Sequence, residues 1–422
     1  MLDGFDLQSI SFAAPALISE YQVTSREFGI VIAIGLVGVL LGAIIQGPFS
    51  DRIGRKPLIF WSLISFGSLS IACAFAETIE QMMALRFLIG FPIGMLVPNI
   101  ISLTSEYSPT NRKFLIVAIV FSGFPLGAFI GGLISAILLP RYGWESVFLL
   151  AGVLPVFTAF AVRFALPESV QFLFSKHHSK IGSIKRAQIA SELNRLFKKM
   201  IGTDVDVYTF KNLYGTKSEK NKGSLVTLFA PSYRTATLLI WTLYASTQFG
   251  LYILISWLPV LMSQTGSSIQ QAILPLSFMN LGAVLGGACL GYLGDRFGGG
   301  LVLFYSYIFG AVVCGLSILL FETGVVAIVS CSFIIGFAIG GGQLTSNGLA
   351  TGQYPTSLRS TGVGGASFAG RIGGISASLI GGYLLTESPT GTQIFLFAGL
   401  ACLISSASAI SLSITNSGKA SS

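Results

Sequence analysis

Two carboxylates, Asp3 and Asp6, stand three residues apart in the opening stretch MLDGFDLQSISFAAPAL, which otherwise reads as an apolar helix. At that spacing they share one helix face. Two chemistries fit them. They are caps at a membrane surface, or a pair withdrawn from water, where a carboxyl can load and release a proton near neutrality. A bound carboxylate would find its anchor in an arginine inside an apolar segment, because guanidinium holds a carboxylate through two parallel hydrogen bonds. Arg371 in FAGRIGG lies well away from either end of its apolar run, while Arg86 opens RFLIG near the end of one, where an arginine can also snorkel to the interface. For Arg371 the competing role is an ion pair within its own bundle. Tyr244, Gln248 and Tyr252 recur at i, i+4 and i+8, with Trp257 just beyond. Aromatic stripes are usually core; the interposed Gln248 suggests instead a cavity face able to stack a ring and bond its substituents. Asn280, Gln343 and Asn347 are expected to face the same space, although polar residues also tie helices together.

Composition says what must position these groups. Of 422 residues 52% are hydrophobic and 10% charged, against about 25% charged in a soluble domain; the mean hydropathy is +0.77. Most of the chain is therefore solvated by lipid. The net charge of +8 does not point to nucleic acid, because twelve of the 25 basic residues fall between Lys176 and Arg234. Cys73, Cys289, Cys314, Cys331 and Cys402 are scattered through apolar segments and read as small core residues. His177 and His178 match no metal or catalytic pattern. The first apolar run lacks a basic region before it and reads as a retained helix rather than a cleavable signal. With no phosphate loop, metal cluster or nucleophile constellation, an enzyme is not expected, and no cofactor is implied.

Apolar spans of about 20 residues fall at 1–19, 28–49, 58–76, 81–104, 113–138, 144–166, 235–262, 269–293, 300–321, 325–349, 360–385 and 393–414. A glycine-rich chain with helical periodicity satisfies its backbone in lipid with helices rather than a barrel. The loops after even-numbered spans carry Arg52, Arg55, Lys56, Arg112, Lys113, the central basic cluster, Arg296 and Arg359, whereas the opposite loops hold only Arg26 and Arg141 among several glutamates. The even-numbered loops and both termini are thus expected in the cytoplasm. The halves repeat: GPFSDRIGRK (47–56) answers GYLGDRFG (291–298), placing Asp51 and Asp295 244 residues apart, and EYSPTNR (106–112) answers QYPTSLR (353–359), placing Tyr107 and Tyr354 247 apart. A tandem six-helix duplication is the layout expected when two bundles rock about a central site.

At these residues the chain resembles a major facilitator superfamily transporter over nearly its whole length. Gly47, Asp51, Arg52, Gly54, Arg55 and Lys56 match the superfamily's loop 2–3 signature, and LPES (166–169) is a looser mark. DGFD, RFLIGFPIGMLVPNIISLTSEYSP (86–109) and YPTSLRSTGVGGASFAGRIGG (354–374) resemble more narrowly the aromatic acid:proton symporters, which carry benzoate, hydroxybenzoates and related carboxylates, with muconate or nicotinate among homologues. The resemblance implies an all-α integral membrane fold of twelve helices in two pseudo-symmetric six-helix bundles, 1–166 and 235–414. A basic cytoplasmic linker (167–234), with an amphipathic helix at 184–200, joins them, and 415–422 forms a tail. It implies proton coupling at Asp3 and Asp6, and a role for Arg86 in substrate or proton coupling. Asp51, Arg52, Arg55 and Glu106, with Asp295, Arg296 and Arg359 as C-terminal counterparts, are expected at a cytoplasmic gate. The expected carrier is monomeric and multi-pass in the inner or plasma membrane, with a small carboxylate, lipid and protons as its only partners.

Three alternatives stand beside uptake of an aromatic carboxylate. One is proton-coupled export, since GFPLG loosely resembles an antiporter signature without its Gly-Pro order. Another is a different cargo, such as muconate, nicotinate or a sugar-like metabolite; the third is a receptor or impaired paralogue that moves nothing. From Met1 to Ser19 a helix reaches only about 28 Å, against a ~30 Å hydrocarbon core. The family places D-G-x-D well inside span 1, so the first helix is expected to be shortened at its N-terminus, with Met1 an internal start or the carrier impaired.

Overall fold

The helices begin where their first backbone N–H groups find acceptors. In the computed structural model, which describes residues 1–108, 113–177, 191, 225–321, 323–387 and 391–420, Thr24 caps α2 (Ser25–Ile53) and exchanges hydrogen bonds with Glu27. Ser268 and Gln271 do the same for α9 (Ile269–Phe297). Each cap satisfies donors the helix itself leaves unpaired. The two capping boxes are 244 residues apart, the offset that separates Asp51 from Asp295.

α1 (Leu2–Glu20) precedes the first box, and α2 is followed by α3 (Arg55–Cys73), α4 (Ile79–Tyr107), α5 (Lys113–Tyr142), α6 (Glu145–Ala165) and the short α7 (Val170–His177). After a 3₁₀ turn at Leu225–Phe229 come α8 (Arg234–Gln264), α9, α10 (Gly299–Leu320), α11 (Val325–Gly352), α12 (Thr356–Glu387) and α13 (Thr392–Ala420). Among the described residues, eleven helices are long and apolar enough to cross a membrane. Of the twelve expected spans the one outside this set is α1, which is long enough but is diluted by Asp3, Asp6 and Gln8. The long helices mostly overrun the apolar spans by several residues, because backbone hydrogen bonding continues past the hydrocarbon boundary. The segment 184–200, expected as an amphipathic helix, lies outside the described residues apart from Ser191.

The internal repeat extends to individual backbone contacts. A side chain on Gly38 or Gly42 of α2 would run into the carbonyls of Phe87 or Phe91 on α4, and one on Gly90 into the carbonyl of Gly35. In the second half Gly282 and Gly286 of α9 meet the carbonyls of Phe333 and Phe337 on α11, and Gly336 meets that of Met279. Every partner is displaced by 244 residues on the first helix and 246 on the second. Small residues here bring helix backbones into contact where lipid supplies no hydrophobic drive for association. One departure separates the crossings. Span 10, expected as one regular helix, opens into a π-turn at Gly336–Gly340, a wider turn of the kind found at functional sites.

Packing follows the same repeat: α1 lies on α5 as α8 lies on α12, α3 on α6 as α10 on α13, and the halves meet through α2 with α12 and α5 with α9. Those junctions are tight at one end. Gly29 of α2 lies under Trp257 and the Ser378 carbonyl, the Arg26 N–H donates to Thr386 Oγ1 (3.2 Å), and Phe129 meets Phe278 edge-on at 5.8 Å. Trp257 is thus a buried seal bonded to the Ser378 carbonyl (3.1 Å), and not part of a cavity stripe.

Candidate functional site

Between the halves lies a cavity of about 390 Å³. Its walls are given by Leu36 and Val39 of α2, Phe121 and Phe124 of α5, Asn280 and Ala283 of α9, and Ser367, Arg371 and Gly374 of α12, with further residues from α1, α4, α8 and α11. On each of those four helices the lining residues sit nearer the basic-loop end than the residues that seal the junction. The cavity therefore occupies the middle and the basic-loop side, and the opposite side is packed shut.

Seven of the eight residues assigned to substrate line this cavity: Arg371, Tyr244, Gln248, Tyr252, Asn280, Gln343 and Asn347. They do not do so equally. The Tyr244 hydroxyl donates to Asn347 Oδ1 (2.8 Å), and Asn347 Nδ2 donates to the Leu344 carbonyl (3.3 Å). Asn280 exchanges two hydrogen bonds with Gln8 of α1 (3.0 and 2.8 Å) and donates a third to the Leu276 carbonyl (2.9 Å). Its amide holds the halves together and is not offered to a ligand. Arg371, in contrast, has no ion pair or hydrogen bond among the described residues. It is half-buried on the cavity wall, and a cation held within a membrane span without a paired acid is a functional residue by default.

Arg86 is elsewhere. It is 4% exposed and points into the first bundle, where its Nη1 lies 3.6 Å from Asp6 Oδ2 and donates to the Asp6 carbonyl (3.2 Å). Its Cζ stacks 4.7 Å over the Phe148 ring. Asp6 is fully buried and also accepts a hydrogen bond from the Ser70 hydroxyl. Asp3 and Asp6 thus part company: Asp3 lines the cavity and pairs with the Met1 ammonium (3.1 Å), while Asp6 faces α3 and α4. Their depth follows from packing. Met1 and Gly4 abut Gly127 and Phe124 of α5, ten residues or more past the start of that helix, or roughly 15 Å at 1.5 Å per residue. Among the described residues, neither carboxylate accepts a hydrogen bond from a backbone N–H within α1. Gln8 and Ser70 were not singled out from sequence; a glutamine two residues beyond Asp6 in an apolar helix was the available signal.

The residues assigned to a gate are brought together on one side only. Arg55 pairs with Glu106, and Ser169 bridges them, accepting from Arg55 (3.0 Å) and donating to Glu106 (2.7 Å). Glu168 of LPES accepts from the backbone N–H groups of Arg55 (3.0 Å) and Lys56 (3.1 Å), capping α3, whose own cap residue Gly54 has no side chain. Asp51 and Arg52 are exposed. So are Asp295, Arg296 and Arg359, which form no ion pair among the described residues.

A two-halved helical bundle around a central cavity, with one unpaired cation on its wall, is the architecture of a membrane carrier. The chain belongs to the Major Facilitator Superfamily, whose sequence pattern matches residues 1–378 and again 240–420. It is 35% identical over 417 residues to the 4-hydroxybenzoate transporter PcaK of Acinetobacter baylyi, covering 98% of this chain and 87% of that one. It is 33% identical over 402 residues to a gallate transporter of Pseudomonas putida (95% and 86%), and 28% over 396 residues to a benzoate transport protein of Acinetobacter baylyi (92% and 81%). The family and these relatives make it a multi-pass membrane transporter and not an enzyme, in keeping with the resemblance to aromatic acid:proton symporters.

Proposed function

We propose that the protein is a secondary carrier of the inner or plasma membrane that takes up an aromatic or related small carboxylate, of the benzoate or hydroxybenzoate type, together with protons and by alternating access. The observation that carries this reading is Arg371, a guanidinium without counter-charge on the wall of a cavity otherwise built largely of aromatic and aliphatic side chains. A carboxylate supplies the missing charge in a bidentate geometry that suits guanidinium, and a ring attached to it lies against Tyr252, Phe121 and Phe124. A volume of about 390 Å³ is of the size that encloses small organic ligands. The named substrates of the relatives, gallate, 4-hydroxybenzoate and benzoate, are all ring carboxylates.

With the basic loops on the cytoplasmic side and both termini there, the cavity is the inward-facing form of the site. The outward form requires the α2–α12 and α5–α9 junctions to part while the opposite ends close. Asp6 is the proton site in this reading: protonation removes the negative half of its pair with Arg86 and releases a buried guanidinium to repack. Coupling exists only insofar as the proton binds one state of the carrier better than the other. Because one chain completes the cavity, the working unit is the monomer, with protons as the coupling ion and no other cofactor.

The test is uptake of labelled 4-hydroxybenzoate and benzoate by the purified protein in liposomes. An inward proton gradient is expected to raise the initial rate and drive accumulation. Uptake indifferent to the gradient overturns symport, and no uptake of any ring carboxylate overturns the substrate class.

A further inference from the structure

The polar groups of the cavity divide into those already bonded to protein and those left open. Tyr244, Asn347 and Asn280 are internally satisfied, and Asp3 is paired. Besides Arg371, the Tyr252 hydroxyl and the exposed Ser367, what is left open is two amides, those of Gln248 and Gln343, which have no hydrogen bond among the described residues. The Gln343 oxygen is buried as well as unpartnered.

These two amides lie at one depth. The stem of Gln248 packs on Gly370, the residue before Arg371. Gln343 lies one turn past Gly340, which abuts Leu251, and one turn before Asn347, which bonds Tyr244. On α8 that interval, Tyr244 to Leu251, contains Gln248. Two unpaired glutamines therefore reach the cavity from α8 and α11 at the level where α12 presents Arg371.

We infer that Gln248 and Gln343 read a hydroxyl on the ring of the transported acid, so that the cavity selects hydroxylated aromatic carboxylates over unsubstituted ones. This rests on Arg371 as the carboxylate anchor. With the cavity empty of ligand, water can satisfy the Gln248 amide and the Gln343 N–H groups, while the Gln343 oxygen is closed to it. A bare ring displaces that water and leaves them unpaired, and an unpaired buried amide opposes binding. A hydroxyl both donates and accepts, so it satisfies one amide oxygen and one amide N–H at once. An ether only accepts, and a ring C–H does neither. Sites built to bond a substrate hydroxyl reject the analogue lacking it far more strongly than apolar pockets reject a size change.

Equilibrium binding to the purified protein separates the possibilities, with benzoate, 3- and 4-hydroxybenzoate and the matching methoxybenzoates as probes. One hydroxybenzoate is expected to bind ~10–100-fold more tightly than its methoxy counterpart and than benzoate. Gln248→Met and Gln343→Met, each also made as Leu in case one form fails to fold, should each cut that preference about tenfold, mainly through weaker binding of the hydroxylated acid. Equal affinity for hydroxy and methoxy acids in the unmodified protein overturns the inference while leaving the carboxylate reading intact. A preference that survives both substitutions overturns it too. Failure of every acid to bind removes the carboxylate reading and the inference together.

Discussion

The side-chain amides of Gln8 and Asn280 exchange two hydrogen bonds, 3.0 and 2.8 Å, across the boundary between the halves, with both residues almost completely buried. Each amide is satisfied only by the other half of the molecule or by its own helix. Replacing Gln8 by Leu leaves the almost completely buried Asn280 amide short of partners, an expected loss of about 1–3 kcal/mol in the state seen here. Replacing both by Leu removes the unpaired group and should recover much of that loss. A double-mutant cycle on thermal stability checks this: the two single effects should exceed the double. Strict additivity would mean the pair contributes nothing.

Asn280 also shows where sequence reading stops. Its place on the cavity wall was legible, because a polar residue in an apolar span must face protein or water. Its partner was not, since Gln8 stands 272 residues away and only packing of the two halves brings them together. The same holds for Asp3 and Asp6. Their shared helix face was legible, but a face is about 60° wide between positions three apart, and the wall of α3 and α4 begins within it. Arg371 and the paired repeat motifs were legible because their signals are local: a charge in mid-span, and recurrence at a fixed offset.

The repeat itself makes a stability prediction. Gly38→Ala and Gly282→Ala each drive a methyl into a backbone carbonyl of the neighbouring helix, and each should destabilise by about 1–3 kcal/mol. Gly47 and Gly291, another pair at the same offset, face nothing within 4 Å. Alanine there should leave the melting temperature unchanged, which a side-by-side thermal melt of the four variants would measure.

The Asp6–Arg86 pair separates driving force from binding. Asp6→Asn keeps the size and the Ser70 contact but cannot cycle a proton. It should abolish acceleration by a pH gradient while preserving exchange of internal for external substrate, which needs no net proton movement. Arg86 is then left buried without a counter-charge, at a cost of roughly 3–5 kcal/mol, so the variant should also melt earlier. Gradient-driven accumulation at the unmodified rate in Asp6→Asn would remove Asp6 from the coupling role.

The central claim is that the carboxylate is held by Arg371 and not by Arg86, and equilibrium binding of labelled 4-hydroxybenzoate tests it most directly. Arg371→Met should weaken binding by about 30-fold or more, the effect of truncating one partner of a buried charge pair (2–5 kcal/mol), and Arg371→Lys should restore part of it. The double variant Asp6→Asn/Arg86→Met, which removes the other buried pair as a unit, should bind with much smaller change. Binding unaffected in Arg371→Met, or lost only with Arg86, would contradict the account.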